Sequence, residues 1–388
     1  MRLIIRNKRI LILIFFFIFS QDLKTEIMFS SGSNSCRSWA EWRAFKSDFI
    51  SQDGRVIDWQ SNNSVTTSEG QSYALFFSLV ANDKQMFKKL LTWSQNNLAS
   101  GDLSRNLPAW LWGEKQDNSF GIIDTNSASD ADLWFAYTLV EAGRIWGNEE
   151  YNNIGYRLLE VILEKEAEHL PGLGLSILPG SYGFVVSDDV WRLNPSYLPL
   201  FLLKRFTKEP GYLSWKNIYK TSAKTLLQTS LKGVSPNWVL YSKKNKFHYT
   251  VEYDDLGSYD AIRVYLWAGM MKDNSEYKKQ LTKQFEPMIR SINNLKYVPL
   301  NTFAETGSSK NKGPLGFSIA LLPLLNNLND TDILSMKNKV RYAQEQSTDK
   351  PNYYQNVLSL FSFGFLDNQF KFNRNGYLET AWLDLNCS

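Results

Sequence analysis

Histidine and cysteine are scarce in this sequence of 388 residues, which contains only two of each. Neither histidine, His169 nor His248, has a second histidine or a cysteine at the short spacing that a zinc site requires. The presence of only two histidines also disfavours a Ser-His-Asp catalytic triad. The sequence therefore predicts no metal and no other cofactor, and it leaves carboxylates as the groups best placed to carry acid-base chemistry.

A large excess of charge of either sign is also missing. The formal net charge is +4, and the first thirty residues supply most of it, because they hold five basic residues against two acidic ones. The rest of the chain is therefore near neutrality, at about +1. Proteins that bind nucleic acid carry a clustered basic footprint. This balance disfavours nucleic acid as a partner and favours a neutral or weakly charged one.

No apolar run is long enough to span a bilayer comfortably. The run Ile10–Phe19 has ten residues, whereas a membrane helix needs about twenty. Basic residues from Arg2 to Arg9 precede it and polar residues follow, which is typical of a secretion signal. We predict a signal peptide over about residues 1–30 and a single catalytic domain over 31–388, in a periplasmic or secreted protein without a stable membrane span. An uncleaved anchor or a buried strand is the alternative.

The two cysteines, Cys36 and Cys387, lie near the two ends of the predicted mature chain. An even number of cysteines in an oxidising compartment favours a disulfide, and a bridge between these two would join the termini. Two unrelated thiols are the alternative.

Helical periodicity dominates the rest of the sequence. Apolar residues recur every three or four positions in about twelve segments. These are residues 37–51, 69–81, 84–98, 129–147, 150–167, 195–207, 212–231, 258–272, 275–294, 314–326, 331–346 and 351–364. No low-complexity linker or repeat divides the chain, and one strand pair flanks a polar turn. We predict an all-α fold, an (α/α)6 barrel or toroid with a small β-hairpin near 238–253, although periodicity does not separate it from other large helical folds.

Three acidic residues, Glu69, Asp130 and Asp260, stand where predicted helices begin. In a toroid the inner helices run parallel, so their N-terminal ends would bring these carboxylates to one mouth. Cleavage of a glycosidic bond needs two carboxyl groups, one protonated and one ionised. The simpler interpretation of each residue alone is a helix cap, because acidic side chains in a first turn are favoured by the helix dipole.

Aromatic residues make up 14% of the chain and include 13 tryptophans. Trp110, Trp112 and Trp191 lie in loop-like stretches, where flat rings could support the apolar face of a sugar; ordinary core packing is the alternative. Tyr259, next to Asp260, is a further candidate for substrate contact. Arg263 follows Asp260 by one helical turn and could orient the carboxylate or hold it ionised, the alternative being a weak surface ion pair.

The stretch Ala128-Ser129-Asp130-Ala131-Asp132, continued by Ala136, Leu139, Ala142 and Trp146, resembles the signature of glycoside hydrolase family 8. Segments 50–58, 66–73, 107–113, 194–199, 258–265 and 313–318 resemble one branch of that family, the periplasmic endo-1,4-β-glucanases (cellulases) of bacterial cellulose-synthesis operons. The resemblance extends from about residue 36 to the end of the chain, and both cysteines fall where that branch has its terminal cysteines.

The resemblance implies an (α/α)6 barrel and hydrolysis of cellulose with inversion. Glu69 matches the proton donor, Asp260 the base that activates water, and Asp130 the acid that binds and distorts the sugar. Tyr197 and Arg263 match residues that line the same subsite. A helix N-terminus opposes protonation, so Glu69 would need the nearby Asp130 charge and desolvation by bound sugar to raise its pKa.

Other functions stay open at this point. The chain could be a non-catalytic glucan-binding component of exopolysaccharide export, although all three acidic positions are filled. It could act on another β-1,4-glycan such as chitosan or xylan, since the family includes such enzymes. A lyase on the same toroid would need basic residues for a uronic acid substrate, which the near-neutral chain does not indicate. β-1,4-Glucan chains are the expected partner, together with a cellulose synthase or export complex.

Overall fold

The computed structural model describes residues 39–61, 63–252, 254–326, 339–341, 343 and 352–384. Helices form its frame. They are α1 (Ala40–Phe49), α2 (Ser68–Val80), α3 (Lys84–Leu98), α4 (Ser129–Trp146), α5 (Glu149–Lys165), α6 (Leu200–Phe206), α7 (Tyr212–Thr229), α8 (Ile262–Met270), α9 (Lys278–Gln284), α10 (Glu286–Leu295), α11 (Leu315–Leu325), α12 (Tyr353–Leu366) and α13 (Ala381–Asp384). A 3₁₀ turn at Pro195–Tyr197 precedes α6.

Six of these helices form a closed inner ring in the order α2, α4, α6, α8, α11 and α12. Each contacts the next, and α12 returns to α2 through Phe361, whose ring centre lies 5.2 Å from that of Tyr73 and 4.6 Å from that of Phe77. Helices α2 and α8 are buried on nearly every face, as expected of helices surrounded by other helices. The ring confirms the predicted (α/α)6 barrel.

The outer helices each pack on the inner helix that precedes them in the chain: α3 on α2, α5 on α4 and α7 on α6. They are amphipathic, since each buries one apolar face and leaves charged residues in solvent. The reversals between the partners are short. Gly147 ends α4 in the left-handed conformation, and the Asn148 side chain caps α5 by accepting the Tyr151 N–H at 3.1 Å.

Aromatic rings fill the axis of the barrel. Phe76 lies 4.9 Å from Trp134, Trp134 lies 5.6 Å from Trp267, and Trp267 lies 5.1 Å from Phe361, measured between ring centres. Most of these contacts are tilted or edge-to-face, which is the favoured arrangement for aromatic pairs. Tyr73, in the second turn of α2, joins this core, because its ring centre lies 5.9 Å from that of Trp134.

Small antiparallel sheets occupy the connections between helices. Their strands are β1 (Thr66–Thr67), β2 (Leu111–Glu114) and β3 (Phe120–Asp124); β4 (Ala167–Leu170) and β5 (Gly174–Ile177); β6 (Val185–Ser187), β7 (Val190–Leu193), β8 (Val239–Ser242) and β9 (Lys246–His248); β10 (Leu256–Gly257), β11 (Pro299–Phe303) and β12 (Ser309–Lys312); β13 (Phe370–Phe372) and β14 (Leu378–Thr380). The predicted hairpin is confirmed as β8 and β9, although it belongs to a four-stranded sheet.

Three predicted helices differ from the structure. Segment 258–272 becomes helical only at Ile262, because the residues before it form turns. Segment 275–294 breaks at Phe285, just before Pro287 in the first turn of α10. Segment 195–207 is a 3₁₀ turn followed by α6, since Pro199 has no N–H to continue a helix.

Several predictions fall on residues that the structure does not describe. The signal peptide over 1–30, the pairing of Cys36 with Cys387 and most of the predicted helix 331–346 lie outside the described residues. Within the ranges that are described, no helix combines the length and the apolar character needed to cross a membrane.

Candidate active site

The N-terminal ends of α2, α4 and α8 meet at one mouth of the barrel. Glu69 and Asp130 lie in the first turns of α2 and α4, and Asp260 lies in the turn before α8. One buried guanidinium joins two of them: Arg263 Nη1 is 2.8 Å from Asp130 Oδ2, and Arg263 Nη2 is 2.9 Å from Asp260 Oδ1. Carboxylates from distant parts of the sequence therefore share one site.

Glu69 is held by the way α2 begins. The Thr67 side chain caps the helix by accepting the Gly70 N–H at 3.1 Å, and the Ser68 N–H donates to the Trp110 carbonyl at 3.0 Å. Gly70 lies directly beneath the Tyr353 hydroxyl, where a Cβ would overlap that oxygen. The start of α2 is thus fixed from the β2 side and from α12.

The electrostatic environment separates the roles of the carboxyl groups. Burial raises the pKa of Glu69 to about 8, and repulsion from Asp130 and Asp260 adds to the rise, while its own backbone N–H and Arg263 oppose it. Burial also raises the pKa of Asp130, against the attraction of Arg263. Glu69 is therefore protonated near neutral pH, whereas Asp130 and Asp260 are paired with a cation.

Two further groups orient Arg263, and neither was predicted from the sequence. Nη1 donates to the Tyr73 hydroxyl at 3.1 Å, and Nη2 donates to Ser196 Oγ at 3.1 Å. The Trp267 indole N–H in turn donates to the Ser196 carbonyl at 2.9 Å. Tyr73 and Trp267 fit the apolar period of their helices, so nothing in the sequence distinguishes them from ordinary core residues.

Asp260 is positioned by a side chain that the sequence also did not reveal. Asn237 Oδ1 accepts the N–H groups of Ser258 and Ala261 at 2.8 and 3.0 Å, which fixes the turn on both sides of Asp260. The Asp260 side chain is 31% exposed, in contrast to the buried Asp130. Solvent water can therefore reach the Asp260 carboxylate.

The two tyrosines predicted to contact substrate both lie at this mouth. The Arg263 guanidinium lies 5.5 Å from the centre of the Tyr197 ring. Burial, followed by repulsion from Asp130 and Glu69, raises the pKa of the Tyr197 hydroxyl above its ordinary value, so this hydroxyl lies among the carboxylates. Tyr259 is 54% exposed and rests against Phe317 with ring centres 5.0 Å apart.

Trp110 and Trp112 are both half-buried, but different protein groups contact them. The Trp110 indole N–H binds the Asp124 carboxylate, and its carbonyl contacts the start of α2. The Trp112 ring is already in contact with protein groups, since Arg55 lies 4.4 Å from its centre and Phe120 stacks on it at 5.7 Å. Trp110 is therefore the better placed of the two to meet a ligand beside Glu69.

Trp191 does not lie on the open surface of the site, and its predicted sugar contact is corrected here. The side chain is 5% exposed and packs in a separate apolar cluster with Leu193, Val239 and Tyr241. Its indole N–H donates to Glu168 Oε1 at 3.0 Å. With both the ring and the N–H engaged inside the protein, the core alternative applies to this residue.

Other aromatic groups near the site were not predicted. Tyr354 donates its hydroxyl to the Tyr259 carbonyl at 2.7 Å. Tyr182 is half exposed, and its hydroxyl lies 3.3 Å from Asp124 Oδ1, the same carboxylate that binds Trp110. Asp124 therefore fixes two aromatic side chains, an arrangement that sequence spacing could not indicate because the two lie on different loops.

The part of the chain that the structure describes contains no group of three or more His, Cys, Asp or Glu side chains arranged to hold a metal ion. The side chains at the mouth are carboxyl groups, one arginine and several aromatic residues with hydroxyl or indole groups.

Comparison with known proteins adds a family and several relatives. The model of the family described as glycosyl hydrolases family 8 matches residues 22–368. An endoglucanase of Escherichia coli O157:H7 is 42% identical over 345 residues, which is 89% of this chain and 92% of that protein. An endoglucanase of Pseudomonas fluorescens is 38% identical over 372 residues, covering 91% and 93% of the two chains.

A solved structure of an endoglucanase is also similar to this chain. The crystal structure of an endo-1,4-D-glucanase from Vibrio fischeri ES114 superimposes with a TM-score of 0.85 at 44% identity, and the match covers 89% of this chain and 99% of that one.

Proposed function

The chain belongs to glycosyl hydrolase family 8 and is an endo-1,4-β-glucanase, and on this premise we propose that it cuts internal bonds of cellulose with inversion, using Glu69 as general acid and Asp260 as general base. One observation carries the proposal. The mouth of the barrel holds a carboxyl group that stays protonated near neutral pH beside a partly exposed carboxylate that is paired with Arg263. Hydrolysis of a glycoside needs this combination.

The reaction follows from these two protonation states. The Glu69 proton passes to the glycosidic oxygen as its bond to the anomeric carbon breaks. Asp260 takes a proton from a water molecule while the oxygen of that water attacks the anomeric carbon from the opposite face. The product therefore has inverted configuration, and proton exchange with solvent restores both carboxyl groups.

Asp130, Arg263 and Tyr197 are proposed to bind the sugar at the cleavage point. Both Asp130 oxygens have protein donors, because Oδ2 accepts from Arg263 and Oδ1 accepts the Ala131 N–H at 2.9 Å. The Asp130 carboxylate is therefore rigid, and its charge favours both the protonated form of Glu69 and the positive charge that develops on the sugar ring.

The glucan chain is proposed to extend over aromatic side chains on both sides of the acids. Trp110 adjoins Glu69, Tyr182 shares the Asp124 anchor with Trp110, and Tyr259 precedes Asp260. Flat rings with polar edges suit the alternating apolar faces and hydroxyl rims of a β-glucan. Trp112 contributes as support rather than as a platform, since its ring is already packed.

We propose that the protein works in the periplasm or outside the cell and acts together with cellulose synthesis and export. The basic start and the apolar run Ile10–Phe19 support secretion, and the segments that resemble the cellulose-operon branch support the link to synthesis. Amino-terminal sequencing of the exported protein would test the first point, because it should reveal cleavage near residue 30. Cellulose secretion by a strain lacking the gene would test the second.

The catalytic assignment predicts the behaviour of two substitutions. Glu69→Gln and Asp260→Asn should each lower kcat on carboxymethyl-cellulose by roughly 10²–10⁴-fold, since each removes one proton transfer. Glu160→Gln, on the exposed face of α5, is the matched control and should leave kcat unchanged. Product configuration followed by NMR during hydrolysis should show the α-anomer first. Near-normal turnover by Glu69→Gln, or the β-anomer as first product, would contradict the assignment.

The same preparation separates the remaining candidates. Affinity for cello-oligosaccharides without new reducing ends would favour the non-catalytic glucan-binding role. If reducing ends were released faster from xylan or chitosan than from carboxymethyl-cellulose, the preferred substrate would be another β-1,4-glycan.

A further inference from the structure

Two carboxyl groups that the proposed reaction does not use are buried behind Asp130. Asp132 lies in the first turn of α4, and Glu166 directly follows α5; both side chains are almost inaccessible. No lysine, arginine or histidine forms an ion pair with either of them in the described ranges. Two ionised carboxylates buried together without a cation would be strongly unfavourable.

The hydrogen bonds around the pair lack a donor. Glu166 Oε1 accepts the Ser127 hydroxyl at 2.6 Å. Glu166 Oε2 and both oxygens of Asp132 are buried and receive no N–H or O–H from other described groups. The two side chains lie within hydrogen-bonding reach of each other. A proton on one carboxyl group would supply the donor that is otherwise missing.

We propose that Asp132 and Glu166 share one proton, with the Asp132 hydroxyl donating to Glu166 Oε2, and that this bond positions the start of the helix that carries Asp130. The Ser127 hydroxyl already donates to Glu166, which favours the ionised form of that residue. The proton therefore resides on Asp132. The proposal does not depend on the enzymatic activity, since it concerns the protonation and stability of the folded chain.

The pair connects three segments of the chain around Asp130. Ser127 Oγ accepts the Ser181 N–H at 2.9 Å, and the Glu166 carbonyl accepts the Leu178 N–H at 2.8 Å. The residues just before α4, the end of α5 and the segment 178–181 are thereby joined through Ser127 and Glu166. Because Asp132 is two residues from Asp130 in the same helical turn, its bond to Glu166 restrains the turn that presents Asp130 to Arg263.

The surrounding charges make this bond sensitive to pH. Burial raises the pKa of Asp132 well above its ordinary value, and repulsion from Glu166, Asp130 and Glu69 adds to the rise. Burial raises the pKa of Glu166 to about 7 against the bonds from Ser127 and Asp132, with Asp130 adding repulsion. In the unfolded chain both carboxyl groups have pKa values of about 4. The folded state therefore binds more protons, and stability falls as pH rises from about 4 through 7 and beyond.

The test compares two replacements of Asp132 by their thermal midpoints between about pH 5 and about pH 9. Asp132→Asn carries a permanent N–H donor of similar shape, so its midpoint should fall less with pH and exceed that of the wild type by about 2 °C or more at the alkaline end. Asp132→Leu offers no donor, so its thermal midpoint should lie below that of Asp132→Asn at every pH. Its kcat should also be lower than that of Asp132→Asn, with little change in KM.

Two measurements make the outcome decisive. Glu164→Gln, on the exposed face of α5, should keep the wild-type dependence on pH. In a Glu69→Gln background at about pH 9, where Glu166 is ionised, the infrared C=O stretch of a protonated carboxyl group should persist and should disappear on adding Asp132→Asn. Any one of three results would overturn the proposal. The thermal midpoint could fall equally with pH in the wild type and in Asp132→Asn, or Asp132→Asn and Asp132→Leu could have equal thermal midpoints. The infrared band could also survive the Asp132→Asn substitution.

Discussion

At the scale of single residues, the site depends on how Glu69 keeps its proton at the start of a helix. The helix N-terminus favours the ionised form, yet burial and the repulsion of Asp130 and Asp260 together outweigh that effect. The sequence alone predicts that bound sugar provides the desolvation of this carboxyl group. In the structure Glu69 is already half-buried, and desolvation by the surrounding protein raises its pKa before substrate arrives.

The raised pKa of Glu69 predicts the alkaline limit of activity. A general acid must be protonated, so kcat/KM should fall as pH rises through about 8. Asp130→Asn removes the repulsion of a neighbouring carboxylate, and the limit of the residual activity should therefore move to lower pH. Glu164→Gln changes an exposed carboxylate and should leave the profile in place. An unchanged limit in Asp130→Asn would show that Asp130 does not act on Glu69.

The difference between exposed and buried aromatic residues predicts opposite effects on substrate binding. Tyr259→Ala should raise KM for long cello-oligosaccharides roughly 3- to 10-fold, because an exposed ring beside Asp260 is lost. Trp191→Phe should leave KM unchanged and lower only the thermal midpoint, since the indole bond to Glu168 lies within the protein. If KM rose for Trp191→Phe and not for Tyr259→Ala, Trp191 would have to contact the substrate after all.

The sequence could reveal the acids of the site more readily than the groups that position them. Glu69 and Asp130 stand in first helical turns, and Arg263 follows Asp260 at a spacing that brings the pair together. Ser196 and Asn237 act through one oxygen or one amide each, across long sequence distances. Such contacts depend on how the helices are arranged, which no local pattern encodes.

At the scale of secondary structure, the first turn of α2 is the element on which the acid depends. Gly70 follows Glu69 and lies against the Tyr353 hydroxyl at the start of α12. The next nearest atoms, Tyr353 Cζ and Thr67 Oγ1, lie 3.3 and 3.4 Å from where a Cβ would stand. The close approach of two inner helices at the mouth therefore depends on a residue without a side chain.

Gly70→Ala should push α2 away from α12, displace Glu69 and lower kcat by roughly 10²-fold with a smaller effect on KM. Tyr353→Phe removes the overlapping oxygen, so the double variant should recover part of that loss. Gly316→Ala, in the first turn of inner helix α11, is the control, because its Cβ would meet neighbours only at 3.4 Å or more. Absence of recovery in the double variant would show that the hydroxyl contact is not the cause.

Helices were easier to predict than strands for a physical reason. An outer helix such as α3 has one apolar face over 15 residues, which gives a long periodic pattern, and its predicted bounds of 84–98 agree with the structure. The strands have two to five residues each, too few for alternation to stand out from neighbouring loops. The turn at Asp260 was predicted as helix because the apolar period of α8 continues upstream of Ile262.

At the scale of the whole molecule, the barrel is closed on one side by the C-terminal hairpin of β13 and β14. Phe372 of this hairpin stacks on Phe201 of α6 with ring centres 4.0 Å apart, and the Tyr137 hydroxyl of α4 donates to the Gly376 carbonyl at 2.9 Å. The number of helical segments predicts a toroid, but no sequence pattern indicates this closure. It joins the last part of the described chain to two helices of the inner ring.

Glu141 is the charged group at the centre of this closure. Its side chain is fully buried; Oε1 is 2.6 Å from Arg205 Nε, and Oε2 is 2.5 Å from Arg144 Nη2. The Leu378 N–H of β14 also donates to Oε2 at 2.8 Å. A single carboxylate thereby connects α4, α6 and the hairpin. Removal of its charge would take one of two carboxylate partners from the buried Arg205, which would keep Glu209, and would break the ion pair of Arg144.

Glu141→Gln is therefore expected to lower the free energy of unfolding by roughly 3–5 kcal/mol, as found when one partner of a buried ion pair is removed. Urea unfolding should show the loss, and Glu160→Gln, which breaks an exposed pair with Arg157, should change stability by less than about 1 kcal/mol. Because Glu141 lies far along α4 from Asp130, kcat measured well below the unfolding transition should change little. A loss of kcat without a loss of stability would place Glu141 in the catalytic arrangement rather than in the closure of the barrel.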